Sequence, residues 1–293
     1  MSLFHFFDKK NKNESDGLEN ALASLEKNEI VMEVCDQNKN IPENASKIGG
    51  KPYLPSDFVW PVYQNPNDGE TRPLSFLCQI NLSDVRPYDI EHMLPETGML
   101  SFFYECEAFC WGFDPKDHGC ARVFYFENTE NFVPFSIPDS LAEEYTVPEM
   151  AVCFKNRQSY PDFEELDMHS GIDCDYDDYE AALEERGFVL GAEDHKLLGY
   201  ANLIQGEILS ECERIQRGIY CGDAESYRKL SEEEKANINE KATAWTLLLQ
   251  LSTLIKDDFE LMWGDCGMLY FYIRKEDLAE KRFENAWFSL QCG

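Results

Sequence analysis

The sequence predicts a β-rich α+β fold, internally duplicated, with two sheet-containing halves packed as one unit and helices at the periphery. Three observations carry this. Gly98-Met99-Leu100, followed by Ser101-Phe102-Phe103-Tyr104, recurs as Gly267-Met268-Leu269 followed by Tyr270-Phe271-Tyr272-Ile273. The segments ahead of the motif align on a glutamine, Leu77-Cys78-Gln79-Ile80 against Leu248-Leu249-Gln250-Leu251. An aromatic run then closes each half, Val123–Phe126 in one and Trp287–Leu290 in the other. A shared triplet alone is weak. The same order of glutamine strand, glycine turn, aromatic strand and closing strand is the mark of a repeat. Aromatic and β-branched runs bounded by Gly and Pro favour sheet over helix.

In chain order, residues 1–14 read as a loose leader. Residues 15–293 read as a single domain of two repeats, about 30–133 and 192–293, joined by an acidic connection over 134–191. Asp16, with Glu19 three residues on, starts a helix that Leu18, Leu22 and Leu25 carry to about Lys27. Ile30–Val34 reads as the first strand. Lys47–Pro61 holds three prolines and Gly49-Gly50, so it is an ordered loop with Trp60 packed down. Asn65–Pro73 is an exposed turn. Leu74–Leu82 is a strand with the polar Gln79 inside it. Gly98–Tyr104 is apolar on both alternate faces, as for a strand covered on both sides. Arg122–Phe126 follows as another strand.

From about Pro134 to Gly191 acidic residues dominate. Asp177–Arg186 predicts a short helix stopped by Gly187, and the connection as a whole is expected to fold only in part. Ser231 with Glu234 predicts a capping-box helix start. Trp245–Leu251 reads as a strand, with the end of the preceding helix as the alternative. Ala286–Leu290 is the last strand.

The order of motifs is similar to that of the bacterial YwqG family. The residues that carry this are Gly49-Gly50-x-Pro52-x-Leu54-Pro55, Trp60-Pro61, Phe76-Leu77-x-Gln79, Gly98-x-Leu100, Leu198-Gly199-Tyr200, Ile204-Gln205-Gly206, Tyr220-Cys221-Gly222-Asp223, Leu248-Leu249-Gln250 and Trp263-Gly264-Asp265-x-Gly267-x-Leu269-Tyr270-Phe271. The resemblance covers about Ile30 to Gly293 and implies a β-rich, internally duplicated fold with added helices. It transfers no reaction and no catalytic residue. The acidic run from Asp162 to Glu185 matches no motif of that family.

Charge narrows the partners. With 56 Asp and Glu against 26 Lys and Arg, the net charge is −30, a surface that repels nucleic-acid phosphates and anionic lipid. A basic protein partner, bound cations or plain solubility remain. Eleven cysteines show no repeating framework, and Leu3-Phe4-His5-Phe6-Phe7 is too short for a signal or a membrane span. The expected setting is the cytoplasm, with reduced thiols.

Candidate sites are few. Asp173-x-Asp175-x-Asp177 with Glu184 mimics a calcium loop, but its sixth position is Asp178 instead of glycine and its eighth is Glu180. A solvated acidic loop fits better, and a weak divalent-cation site is the alternative. Cys106, Cys110, His118 and Cys120 have zinc-ligand chemistry in a spacing that is not a common one, so no metal and no cofactor is assigned. No nucleophile, phosphate-loop or metalloprotease motif is present, and no catalytic residue is assigned. The binding candidates are Gln79, Trp111, Gln250, Trp263 and Asp265. Trp263-Gly264-Asp265 is echoed by Trp111-Gly112-Phe113-Asp114 and reads as a capped turn or as a ring and carboxylate offered to a ligand. The two glutamines need amide partners if buried. The functional expectation is a non-catalytic binding or interaction protein for a basic protein. The alternative is a small-molecule binder or enzyme with a cleft between the repeats.

Overall fold

The computed structural model describes residues 17–35 and 40–293; the expected leader over 1–14 and the cap Asp16 lie outside them. A ten-stranded antiparallel sheet organises the described chain. Its strands are β1 (Lys27–Val34), β2 (Lys47–Ile48), β3 (Ser75–Asn81), β4 (Met99–Tyr104), β5 (Ala121–Phe126), β6 (Met150–Ser159), β7 (Lys196–Leu198), β8 (Trp245–Leu251), β9 (Met268–Arg274) and β10 (Trp287–Gln291). Across the sheet they run β10-β9-β8-β7-β1-β6-β2-β3-β4-β5. The helices are α1 (17–25), α2 (Leu82–Val85), α3 (Phe163–Ser170), α4 (Tyr176–Glu185), α5 (Leu209–Gln216), α6 (Ala224–Arg228), α7 (Glu232–Ala242) and α8 (Lys275–Ala279).

From the central pair β1 and β6 outward, each side presents a short strand, a glutamine strand, a motif strand and a closing aromatic strand. Lys47 stands opposite Gln79 on one side, and Lys196 opposite Gln250 on the other. Both glutamine strands break register at a bulge, between Phe76 and Cys78 in β3 and between Leu247 and Leu249 in β8. An extra residue bends and twists a strand. The sheet folds over so that its two sides meet, with ring centroids 5.2 Å apart for Phe102 and Phe271 and 5.6 Å apart for Tyr104 and Phe288. Every residue of β4 is therefore buried, as is every residue of β9 before Arg274. Gly267, ahead of β9, has no room for a side chain: a Cβ would lie 2.0 Å from Trp263 O and 2.3 Å from Gln291 O.

The connection over 134–191 is more ordered than expected. Its Met150–Ser159 stretch is β6, paired along β1 in the middle of the sheet. The sequence hid this strand because one end of it is Lys155-Asn156-Arg157-Gln158. Those side chains reach solvent or acids instead of the core: Lys155 pairs with Glu33, and Arg157 with Glu29 and Asp194. The helices α3 and α4 join α1 in a small second core of Leu18, Leu22, Tyr160, Leu166, Tyr179 and Leu183. Helix α4 ends as the sequence predicts, with Arg186 as C-cap and Gly187 at φ 73°. The capping box of Ser231 and Glu234 opens α7. Trp60 packs edge-on against Phe103 and donates to Leu74 O at 2.8 Å.

One expectation about the thiols is corrected. Cys35, just past the end of β1, forms a disulfide with Cys153 of β6, so not all the cysteines are free thiols. Among the described residues, no helix is long and apolar enough to cross a membrane.

Candidate functional site

The five binding candidates separate by burial. Gln79 and Gln250 are fully buried, and each amide is spent on backbone groups. Gln79 donates to Glu43 O and Ala45 O and accepts from Tyr53 N, all at 2.8 Å. Gln250 donates to Asp194 O at 3.0 Å and accepts from Asn202 N at 2.9 Å. Trp263 is also fully buried, donating to Ser252 O at 2.9 Å and meeting the Tyr104 ring edge-on. Asp265 is exposed on the turn after it. Trp111 alone lines a cleft. Its ring lies against that same turn, since a Cβ on Gly264 would sit 3.6 Å from Trp111 Cη2.

The cleft has a volume of about 460 Å³ and joins parts of the chain far apart in sequence. One wall is Trp111 and Phe113, from the loop between β4 and β5. That loop is stitched to β10 by Leu290 N donating to Trp111 O at 3.0 Å and Trp287 Nε1 to Gly112 O at 2.9 Å. Gly112 permits this approach. Its φ is +87°, and a Cβ there would lie 2.3 Å from Phe288 O. Phe113 O accepts from Cys221 N at 2.8 Å, and its ring meets Tyr220 edge-on at 5.7 Å.

A second wall is Gln205, Gly206, Glu207 and Glu211, with Ser289 and Gln291 from β10. The Gln291 amide holds this wall, accepting from Ile204 N and Gln205 N at 3.0 and 3.1 Å and donating to Gly206 O at 2.8 Å. Glu207 sits just ahead of α5 and accepts from Ser210 N at 2.8 Å, satisfying one of the free donors at the helix start. Leu209, Cys212 and Ile215 bury the inner face of α5, which turns Glu211 toward the cleft.

Both carboxyls are held away from full hydration. Burial pushes Glu211 from the ordinary 4.5 up to about 7; Arg214 and the Ser289 hydroxyl, 3.4 Å from Oε1, draw it partly back, while Glu207 pushes the other way. Burial also raises Glu207, against the Ser210 hydroxyl and N–H, which favour its charge. Desolvation disfavours the charged form of an acid, and a second acid nearby adds to it. Two rings and two carboxyls line the same cleft, and burial lifts one of those carboxyls to about 7. Such a site suits a group that is apolar or planar at one end and cationic or hydrogen-bonding at the other.

Other sequence candidates fall elsewhere. The residues of the calcium-like pattern do not wrap an ion, because from Tyr176 onward they form α4, with Asp175 as its N-cap. Among the described residues, no three acids of that run bring ligand atoms together. A larger cavity of about 810 Å³ lies between α1 and α4. Its lining includes Gly17, Ile172, Cys174 and Glu185. His118 is exposed and stacks on Trp287, apart from the buried Cys110 and Cys120.

Sequence reasoning missed Phe113, Glu207, Glu211, Ser289 and Gln291. Two local signals were present: Trp111-Gly112-Phe113-Asp114, which carries Phe113, and Ile204-Gln205-Gly206, which leads directly into Glu207.

A curled antiparallel sheet with an aromatic and acidic cleft at one edge defines a mixed α+β, sheet-rich protein. The chain belongs to a particular family: the family model described as "Domain of unknown function (DUF1963)" matches residues 46–292. The motifs from Gly49 to Phe271 that carry the YwqG resemblance all fall inside that match. No curated protein matches the chain.

Proposed function

We propose that this protein binds a small organic cation, an amine or guanidinium with a planar or apolar body, in the cleft between Trp111 and Glu211. The observation that carries this reading is the pairing of two rings, Trp111 and Phe113, with two partly buried carboxyls, Glu207 and Glu211. A cationic ligand would let both acids ionise without further cost and would lie against the ring faces. The volume falls within the range of about 300–1,000 Å³ typical of small-molecule sites. Calorimetric titration with tryptamine and agmatine tests it. Binding weakened about tenfold or more, or roughly 1.4 kcal/mol, in both Trp111→Ala and Glu211→Gln supports the reading. No binding of either amine, or equal binding by both variants, sinks it.

The net charge of −30 supports a second reading, a basic protein as partner. Complex formation that falls steeply with salt would favour it, and salt-insensitive association would not.

We also infer that the two halves are copies of one unit. The support is the matched positions of Gln79 and Gln250, of the two bulges, and of Gly50 and Gly199 after the short strands, both with φ 70°. An experimental structure in which β2–β5 fails to superpose on β7–β10 in this register would remove that inference.

A further inference from the structure

The loop between β4 and β5 closes at its base through Glu105 N donating to Cys120 O at 2.9 Å. Inside it, the Glu105 carboxylate and the Cys110 and Cys120 sulfurs place ligand atoms within 4.8 Å of one another. All three are buried, at 1%, 8% and 0% exposure. We propose that Glu105, Cys110 and Cys120 form a zinc site that braces this loop.

The donor set favours this metal. Two thiolates select a borderline-soft cation over calcium or magnesium, and a carboxylate completes three of the four positions of a tetrahedral zinc ion. Glu105 is oriented as a ligand should be, its two oxygens accepting from Glu107 N at 2.9 Å and Ala108 N at 2.8 Å. Such outer bonds fix a ligating group in place. Arg72 favours the charged form of Glu105 but is itself paired with Asp68 and Glu107, and a divalent ion would supply positive charge inside the buried trio. Binding displaces the two thiol protons to solvent, so uptake strengthens as pH rises. Cys106 is buried too, but it is not in the converging trio, and its sulfur contacts Tyr104 O at 3.8 Å. Glu105 takes the place that the sequence offered to His118.

The site has a consequence for the cleft without depending on what the cleft binds. Trp111 and Phe113 lie between Cys110 and Cys120 in the same loop, so the metal would hold the aromatic wall in position. Its test therefore reads metal and not amine binding.

Full-length protein is produced in zinc-supplemented medium, purified without chelator and assayed for metal by mass spectrometry. About one equivalent of zinc is expected in wild type and in Cys106→Ser, with at least a tenfold loss in Cys110→Ser/Cys120→Ser. Metal-free wild type, metal retained by the double variant, or a Cys110–Cys120 disulfide found by peptide mapping would overturn the proposal. If the double variant does not fold, chelated wild type is titrated with cobalt. A thiolate-to-cobalt charge-transfer band saturating near one equivalent supports the site, and absence of the band counts against it.

Discussion

Gln79 and Gln250 occupy matching places in the sheet and make matching hydrogen bonds. Each amide oxygen accepts the N–H of the residue three past the glycine that follows a short strand, Tyr53 after Gly50 and Asn202 after Gly199, at 2.8 and 2.9 Å. Each amide nitrogen reaches back to a carbonyl ahead of that short strand, Ala45 in one half and Asp194 in the other. The side chain thus ties both flanks of a glycine loop to the sheet. Gln79→Leu and Gln250→Leu each strand buried backbone groups, at an expected cost of about 2–4 kcal/mol. Urea denaturation reads this directly. A loss within about 0.5 kcal/mol would mean that the amides are not structural ties.

The buried pair Glu29 and Lys196 gives a second prediction. Their side chains are 0% and 1% exposed and meet at 2.8 Å, with Arg157 on the other Glu29 oxygen. Burial lowers the Lys196 pKa, and Glu29 opposes that shift. Glu29→Met leaves the Lys196 charge stranded in the interior and should cost about 3–5 kcal/mol, whereas Lys196→Met leaves Glu29 its Arg157 partner and should cost less. The double change Glu29→Met/Lys196→Met removes both charges and should cost less than the sum of the single changes. A double-mutant cycle measures the difference, and strict additivity would contradict the pairing.

What the sequence made legible was whatever depends on local pattern. The glutamine and motif strands, the capping box at Ser231 and the stop at Gly187 are written in residue order and spacing. Strand β6 was not legible, because its polar end is stabilised by partners on β1 and near β7 that no local window contains. The cleft escaped for a related reason. Trp111 and Glu211 are 100 positions apart (211 − 111), and among 56 acids nothing in the sequence marks Glu211 as the one whose charge is suppressed.

The Cys35–Cys153 disulfide is testable by counting thiols. Under denaturing, non-reducing conditions two fewer of the eleven cysteines should react than after reduction. The bond spans 118 positions of sequence, so opening it frees a long loop in the unfolded chain. Cys153→Ser should lower stability by about 2–4 kcal/mol. Because the link joins strands already paired by hydrogen bonds, the folded sheet should persist, with an unchanged far-ultraviolet circular dichroism spectrum. Loss of that spectrum would show that the cross-link is needed to hold β1 on β6.

Glu211 predicts a pH dependence with a definite sign. Its carboxyl titrates at about 7 in the folded protein against an ordinary 4.5. Between those values the folded chain keeps a proton that the unfolded chain has lost. The stability this group contributes is therefore full below pH 4.5 and is lost as pH rises through about 7, by at most about 3 kcal/mol. Glu207 and Asp162 are also raised by burial, so the informative quantity is the difference between wild type and Glu211→Gln. That difference should change across the window and be flat above it. A bound amine should reverse the trend. It favours ionised Glu211, so its affinity for wild type should rise with pH through about 7, while Glu211→Gln binds weakly at every pH. If wild type and the variant share one pH profile for stability and for binding, Glu211 does not face the ligand.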